Sequence, residues 1–242
     1  MRSIRVAAFA ALFFVTAASA LAQEFWEKKA YTEWNKDQCK KLLQDSPWSK
    51  TFGIASVQQD RFGQPTSGEG RQTEQRINYY IQLRGALPVR QAVVRAAMIQ
   101  NKYEKMDEAQ KKAVDVSAER YINSQSPYII VHVEYETDVQ FFDRALAEYW
   151  QQWPEGTMPA NVYLTTSSGK RLTPVNWKYE RGGGRAFEFY FPREVNGEPT
   201  ITTDDKHFTV EFPNPKVRDL NDPRAFVQFK LDKMKHKGEL IY

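Results

Sequence analysis

Histidine and glutamate two residues apart on an apolar, β-branched stretch form the pair in this chain best placed to hold a cation. His132 and Glu134 lie within Pro-Tyr-Ile-Ile-Val-His-Val-Glu-Tyr, residues 127 to 135. A strand returns to the same face every second residue, so both side chains share one face and are the candidate metal ligands. The spacing is also that of the His-x-Glu of zinc deaminases, but their Pro-Cys-x-x-Cys is missing here. The other histidines, His207 and His236, supply no i, i+4 pair of the zinc-protease kind. No cofactor is expected.

Three tryptophans are the candidate ligand-binding residues. Trp150 and Trp153 stand one turn apart on a helical pattern, and Trp177 lies on an alternating one. Such rings could stack on a sugar or another ligand ring, and a core stripe has the same spacing.

Other constellations are weaker. Cys39, the only cysteine, cannot form an intramolecular disulfide and sits beside Lys40 and Lys41, which lower a thiol pKa only mildly; a buried thiol is expected. Ser167 to Lys170 matches Ser-x-x-Lys in letters, without the helix or the Lys-Thr-Gly of penicillin-binding enzymes. Asp204 and Asp205, with His207 nearby, suit a hairpin turn, and Asp219, Asn221 and Asp222 look like a calcium loop in which the EF-hand pattern fails. No glycine-rich run has the context of a phosphate loop. A glycosidase acid pair is a spatial matter, with Glu188, opposite the Phe187 and Phe189 row, as one conceivable member.

Composition narrows the setting. Arg2 and Arg5 precede an apolar run from Val6 to Ala18, and Ala20-Leu21-Ala22 resembles a cleavage site, so residues 1–22 read as a secretory signal cut after Ala22. Cleavage takes the charge from +4 to +2 as Arg2 and Arg5 leave. No later section has the basic excess that nucleic acid demands, and no later apolar stretch is long enough for a stable membrane span. The product is expected in the periplasm or outside the cell.

The elements that position these residues follow from periodicity. Residues 23–75 are rich in spaced aromatics and form an N-terminal wrap and loop, with Asn35 and Gln38 capping a short helix. Residues 76–156 read as β-α-α-β-α: an alternating strand from Arg76, a helix opened by Pro88, a helix capped by Asp107 and Gln110, the strand at Pro127 to Tyr135, and an amphipathic helix capped by Thr137 and Gln140. Ile129, Ile130, Val131 and Val133 point to both faces, which predicts a central strand covered on both sides. Residues 157–242 alternate with period two and turn at Ser168-Gly169, Gly182 to Gly184, Asn196-Gly197 and Asp204-Asp205, an antiparallel, sandwich-like region that either stands alone or shares a core with 76–156. The fold class is α+β.

Leu87-Pro88-Val89-Arg90-Gln91-Ala92, Phe189-Tyr190-Phe191-Pro192-Arg193 and the ending Phe229-x-Leu231-x-x-Met234-x-x-x-Gly238-x-Leu240, together with Ser46-Pro47-Trp48, resemble a family of uncharacterised secreted bacterial proteins. The resemblance implies no activity, cofactor or catalytic residue. The expected function is that of an exported non-catalytic envelope protein binding a polymer or a protein partner. An exported hydrolase using carboxylates or a His132/Glu134 metal site is the alternative. The basic tail, Lys230 to Lys237, suits either an anionic envelope polymer or a solvated sheet edge.

Overall fold

The computed structural model describes residues 24–55, 76–153, 157, 159–180, 184–215 and 224–242. The expected signal, the loop at 63–75, Gly182, Gly183 and most of the connection at 214–223 lie outside the described residues.

In chain order the helices are α1 (Phe25–Lys28), α2 (Lys36–Gln44), α3 (Leu87–Gln100), α4 (Glu108–Ile122) and α5 (Gln140–Gln151). The strands are β1 (Ser49–Ala55), β2 (Arg76–Leu83), β3 (Tyr128–Thr137), β4 (Tyr163–Thr166), β5 (Arg171–Leu172), β6 (Asn176–Tyr179), β7 (Ala186–Pro192), β8 (Glu194–Val195), β9 (Glu198–Pro199), β10 (His207–Pro213), β11 (Arg224–Lys230), β12 (Lys235–His236) and β13 (Glu239–Leu240). An antiparallel five-stranded sheet runs β1-β2-β3-β7-β6, and a second, four-stranded antiparallel sheet runs β11-β10-β4-β5. The architecture is α+β, as the alternation predicts.

β3 is the middle strand of the larger sheet. Its odd-numbered residues Ile129, Val131, Val133 and Tyr135 are buried against the second sheet and α5, each such side chain contributing about 1.5–3 kcal/mol on leaving water. The even side differs from the two-sided cover expected: Ile130 is half-buried and Glu134 and Glu136 are exposed. The reason lies in the helices. α2 packs on β1 and β2, α3 on α2, and α4 on α3, so the helical layer covers one end of that face and leaves the rest open.

β6 and β7 belong to the first sheet although they lie within the C-terminal β-rich region. One continuous core therefore joins both halves, with Trp150 stacked on Phe187 at 4.0 Å and Phe187 meeting Phe212 of the second sheet at 5.8 Å. The N-terminal wrap is pinned the same way. Trp26 and Trp34 are buried, Trp48 is buried and donates its indole N–H to Ile241 O at 2.7 Å, and Glu27 bonds His236 at 3.0 Å.

Both reciprocal caps form: Asn35 with Gln38 starts α2, and Asp107 with Gln110 starts α4. The third expected cap does not. β3 continues to Thr137, which pairs with Ile77, so Thr137 Oγ1 instead accepts the Val139 N–H and α5 opens at Gln140 without a side-chain cap. Gly169, in the turn between β4 and β5, and Asn196-Gly197, between β8 and β9, take the positive φ that such hairpins require.

Candidate functional site, a cleft over the polar face of the sheet

Register builds a polar row across the larger sheet. Ser49 opposes Gln82, Gln82 opposes His132, His132 opposes Glu188, and Glu188 opposes Lys178. Directly opposed residues share a face, so this row comes from the side chains that alternate with the core residues of five strands. One end of it runs beneath α2, where a helix packing on a sheet would ordinarily meet apolar side chains.

His132 is 7% exposed, and its Nδ1–H donates to Glu188 Oε1 at 3.1 Å. Glu188 Oε2 accepts the Tyr190 hydroxyl, whose ring in turn meets Tyr128 edge-on. Burial lowers the His132 pKa against the opposing pull of the Glu188 hydrogen bond, and the charge of Arg84 lowers it further. Burial works the other way on Glu188, but the hydrogen bonds from His132 and Tyr190 outweigh it and Arg84 adds to them, holding the carboxyl at about 2. At neutral pH the pair is thus an uncharged imidazole oriented by an ionised carboxylate, with the proton on Nδ1. The depression of Glu188 rests on the donated hydrogen bonds of His132 and Tyr190 first, then on the charges of His132 and Arg84.

Beside this row lies a cleft of about 550 Å³, within the range of small-molecule sites, between α2, α3 and the sheet. Leu43, Ala96 and Ile99 give it apolar walls, Cys39, Tyr80 and Gln82 line it, and the exposed Lys36, Lys40 and Glu134 stand at its rim. Cys39 is 1% exposed, and burial, opposed by the charge of Arg95, pushes its thiol up to about 11, the buried thiol expected from its surroundings. Gln82 is 3% exposed. Its Nε2 donates to Leu43 O at 3.0 Å, which fixes the orientation of the amide and leaves Oε1 buried without a partner among the described residues. Ser49 Oγ, opposite it, and Arg84 Nε, just past the end of β2, are likewise buried and without a partner among the described residues.

No protein-family model, no curated protein and no solved structure matches this chain. The site is therefore read from its own geometry. His132 and Glu134 do share a face, but His132 meets Glu188 on the neighbouring strand, and among the described residues no three His, Cys, Asp or Glu side chains gather closely enough to hold a metal ion. The tryptophans are a correction. Trp150 is fully buried between Phe187 and Phe212, Trp177 is 8% exposed on the core side of β6, and the half-buried Trp153 packs against the same core. A stacking platform needs an open ring face, which the sheet-on-sheet packing takes from Trp150 and Trp177.

Sequence reasoning missed Gln82, Ser49 and Arg84. Gln82 and Arg84 alternate with Ile81 and Leu83 and so read as the solvent side of a half-buried strand. Only the placement of α2 over β1 and β2 turns that side into a covered one. Among the described residues no helix is long and apolar enough to cross a membrane.

Proposed function

We propose that this chain is an exported, non-catalytic binding protein of the cell envelope, taking its ligand or the end of a partner chain into the cleft between α2, α3 and the polar face of the sheet. One observation carries the reading: Gln82, whose orientation-locked amide keeps a buried acceptor with no partner of its own among the described residues, lines a cleft of suitable size. Burying a polar atom unpaired is costly, and a bound molecule that donates to it recovers the loss.

The titratable groups support binding over catalysis. Glu188 sits near 2 with both oxygens engaged, Asp205 is held near 2 by the Thr202 and Ser168 hydrogen bonds that prevail over its desolvation, and the Cys39 thiol lies near 11. None is poised near neutrality as general acid–base work requires. One feature favours the second reading, an exported hydrolase: the imidazole of His132 held by Glu188 is the arrangement that orients a general base.

Thermal unfolding of residues 23–242 against organic acids, amino acids, envelope peptides and glycans, beside an Ala96→Trp variant that fills the cleft, tests the proposal. A ligand at a hundredfold over its dissociation constant adds about 2.7 kcal/mol, roughly 5–10 °C for a chain of this size, and the variant should lose that rise. An equal rise in Ala96→Trp would place binding elsewhere. Turnover of ester, amide or glycoside substrates that His132→Ala abolishes would establish the hydrolase instead.

A further inference from the structure

We propose that this chain binds a phosphate group carried on a sugar or polyol in a second cavity, where β10 and β11 meet the C-terminal hairpin, with Lys206, Lys230 and Lys235 holding the phosphate. This cavity shares no lining residue with the cleft between α2 and α3, so the two readings stand or fall independently. It measures about 640 Å³, within the range of small-molecule sites. The loop Thr202 to Lys206 leads into β10, β11 ends in Gln228 and Lys230, the 3₁₀ turn Leu231–Lys233 follows, and β12 and β13 bring Lys235 and Leu240. Hydrogen bonds fix these walls. Asp205, 5% exposed, accepts the N–H groups of Thr202 and Ser168, each at 2.9 Å, which ties the loop to the turn between β4 and β5. The Leu231 N–H donates to Lys206 O at 3.0 Å, and Lys235 pairs with Leu240.

The charges of this wall are lopsided. Lys206, Lys230 and Lys235 are exposed in it, and none makes an ion pair or side-chain hydrogen bond with a described residue. Its acids are already engaged, Asp205 by the loop and Asp232 by Lys233 Nζ at 3.7 Å. His207 directly opposes Lys230 across β10 and β11 and shares its face. Protection of a sheet edge accounts for Lys230 at the end of β11, but not for its convergence with Lys206 from a loop and Lys235 from a hairpin on one cavity. An ammonium is a compact point charge without the planar fork that selects a carboxylate, and three around one space suit a multivalent, tetrahedral anion. A bare phosphate leaves most of the cavity unfilled. Thr202, Thr203 and Gln228 add neutral polar groups beside Leu231 and Leu240, a mixture that suits the hydroxyls and carbon frame of a sugar or polyol.

Calorimetric titration of residues 23–242 with glucose 6-phosphate, inorganic phosphate, gluconate and glucose tests this. Glucose 6-phosphate should bind at least about tenfold tighter than inorganic phosphate, which lacks the sugar, than gluconate, which lacks the phosphate, and than glucose; its affinity should fall as salt is raised. Lys206→Gln, Lys230→Gln and Lys235→Gln together should weaken it at least about tenfold, without lowering the unliganded melting temperature, since no ion pair is lost. The charge-matched control Lys102→Gln, Lys105→Gln and Lys112→Gln, and the cleft-filling Ala96→Trp, should bind as the parent does. Binding to phosphatidylcholine vesicles only when they contain phosphatidylglycerol, lost in the first triple variant and kept in the control, would identify a lipid headgroup as the source of the polyol phosphate. Equal binding of glucose 6-phosphate and gluconate or inorganic phosphate would overturn the proposal, as would equal weakening in the control, which would leave net charge alone. Binding lost in Ala96→Trp but kept in the first triple variant would place the phosphate in the other cleft and overturn it too, and so would the failure of every phosphate and vesicle to bind.

Discussion

Exchanging Glu188 for glutamine isolates the charge at the centre of the polar row. The carboxyl drops from an ordinary 4.5 to about 2 in the folded chain, and at about 1.4 kcal/mol per pKa unit the preference for the ionised form is at most roughly 3.5 kcal/mol. The side chain is 26% exposed, and solvent screening brings the figure to about 1.5–2 kcal/mol. Because the folded pKa is depressed, this stability is present above pH 4.5 and is lost as the pH falls toward 2. His132 acts in the same direction higher up the scale. Its folded pKa also lies below its ordinary 6.5, so its contribution is intact above that value and declines as the pH falls through the folded one. The glutamine amide keeps the size of the side chain and an oxygen to accept from His132. Urea unfolding should therefore show Glu188→Gln less stable than the parent by about 1.5–2 kcal/mol at pH 7, roughly 3–8 °C in melting temperature, with the gap closing between pH 4.5 and 2. A gap of the same size at pH 7 and near pH 2 would mean that packing, not charge, is lost, and would refute the reasoning.

Other consequences follow from single positions. Trp150→Ala removes a fully buried ring stacked on Phe187 and should cost about 3–5 kcal/mol in urea unfolding; a loss below about 1 kcal/mol would mean that the two sheets do not share this core. Gly85→Ala brings a methyl to 2.6 Å from Arg193 Nη2 and 2.7 Å from Tyr242 O, a clash worth about 1–3 kcal/mol in the same assay. Asp107→Ala removes the acceptor for the Gln110 N–H at the start of α4 and should cost about 1 kcal/mol, read as a fall in helicity and melting temperature. Cys39, buried at the cleft with its thiol near 11, should resist iodoacetamide at about pH 8 until urea unfolds the chain; rapid native alkylation would show that α2 opens away from the sheet.

Local chemistry was readable from residues alone. The caps at Asn35 and Asp107, the turns at Gly169 and Asn196-Gly197 and the central position of β3 depend on neighbours a few residues away, where capping and alternation act directly. Pairing over long distance was not. His132 and Glu188 each stood out separately, but 56 residues separate them, and only the β3–β7 register brings them together. Trp150 has the same periodicity whether it faces a second sheet or a ligand, so its role waits on where β10 places Phe212. Gln82 shows the converse, a polar residue on an alternating strand whose significance depends entirely on the helix that covers it.

The most direct measurement is the side-chain amide resonance of Gln82, assigned by its disappearance in Gln82→Leu and followed while the best-stabilising compound from the thermal survey is titrated in. If that compound sits in the cleft and donates to Oε1, the Gln82 signals shift in proportion to occupancy while the Nε2 bond to Leu43 persists. Saturation of the protein with those signals unmoved would contradict the assignment of the cleft as the binding site.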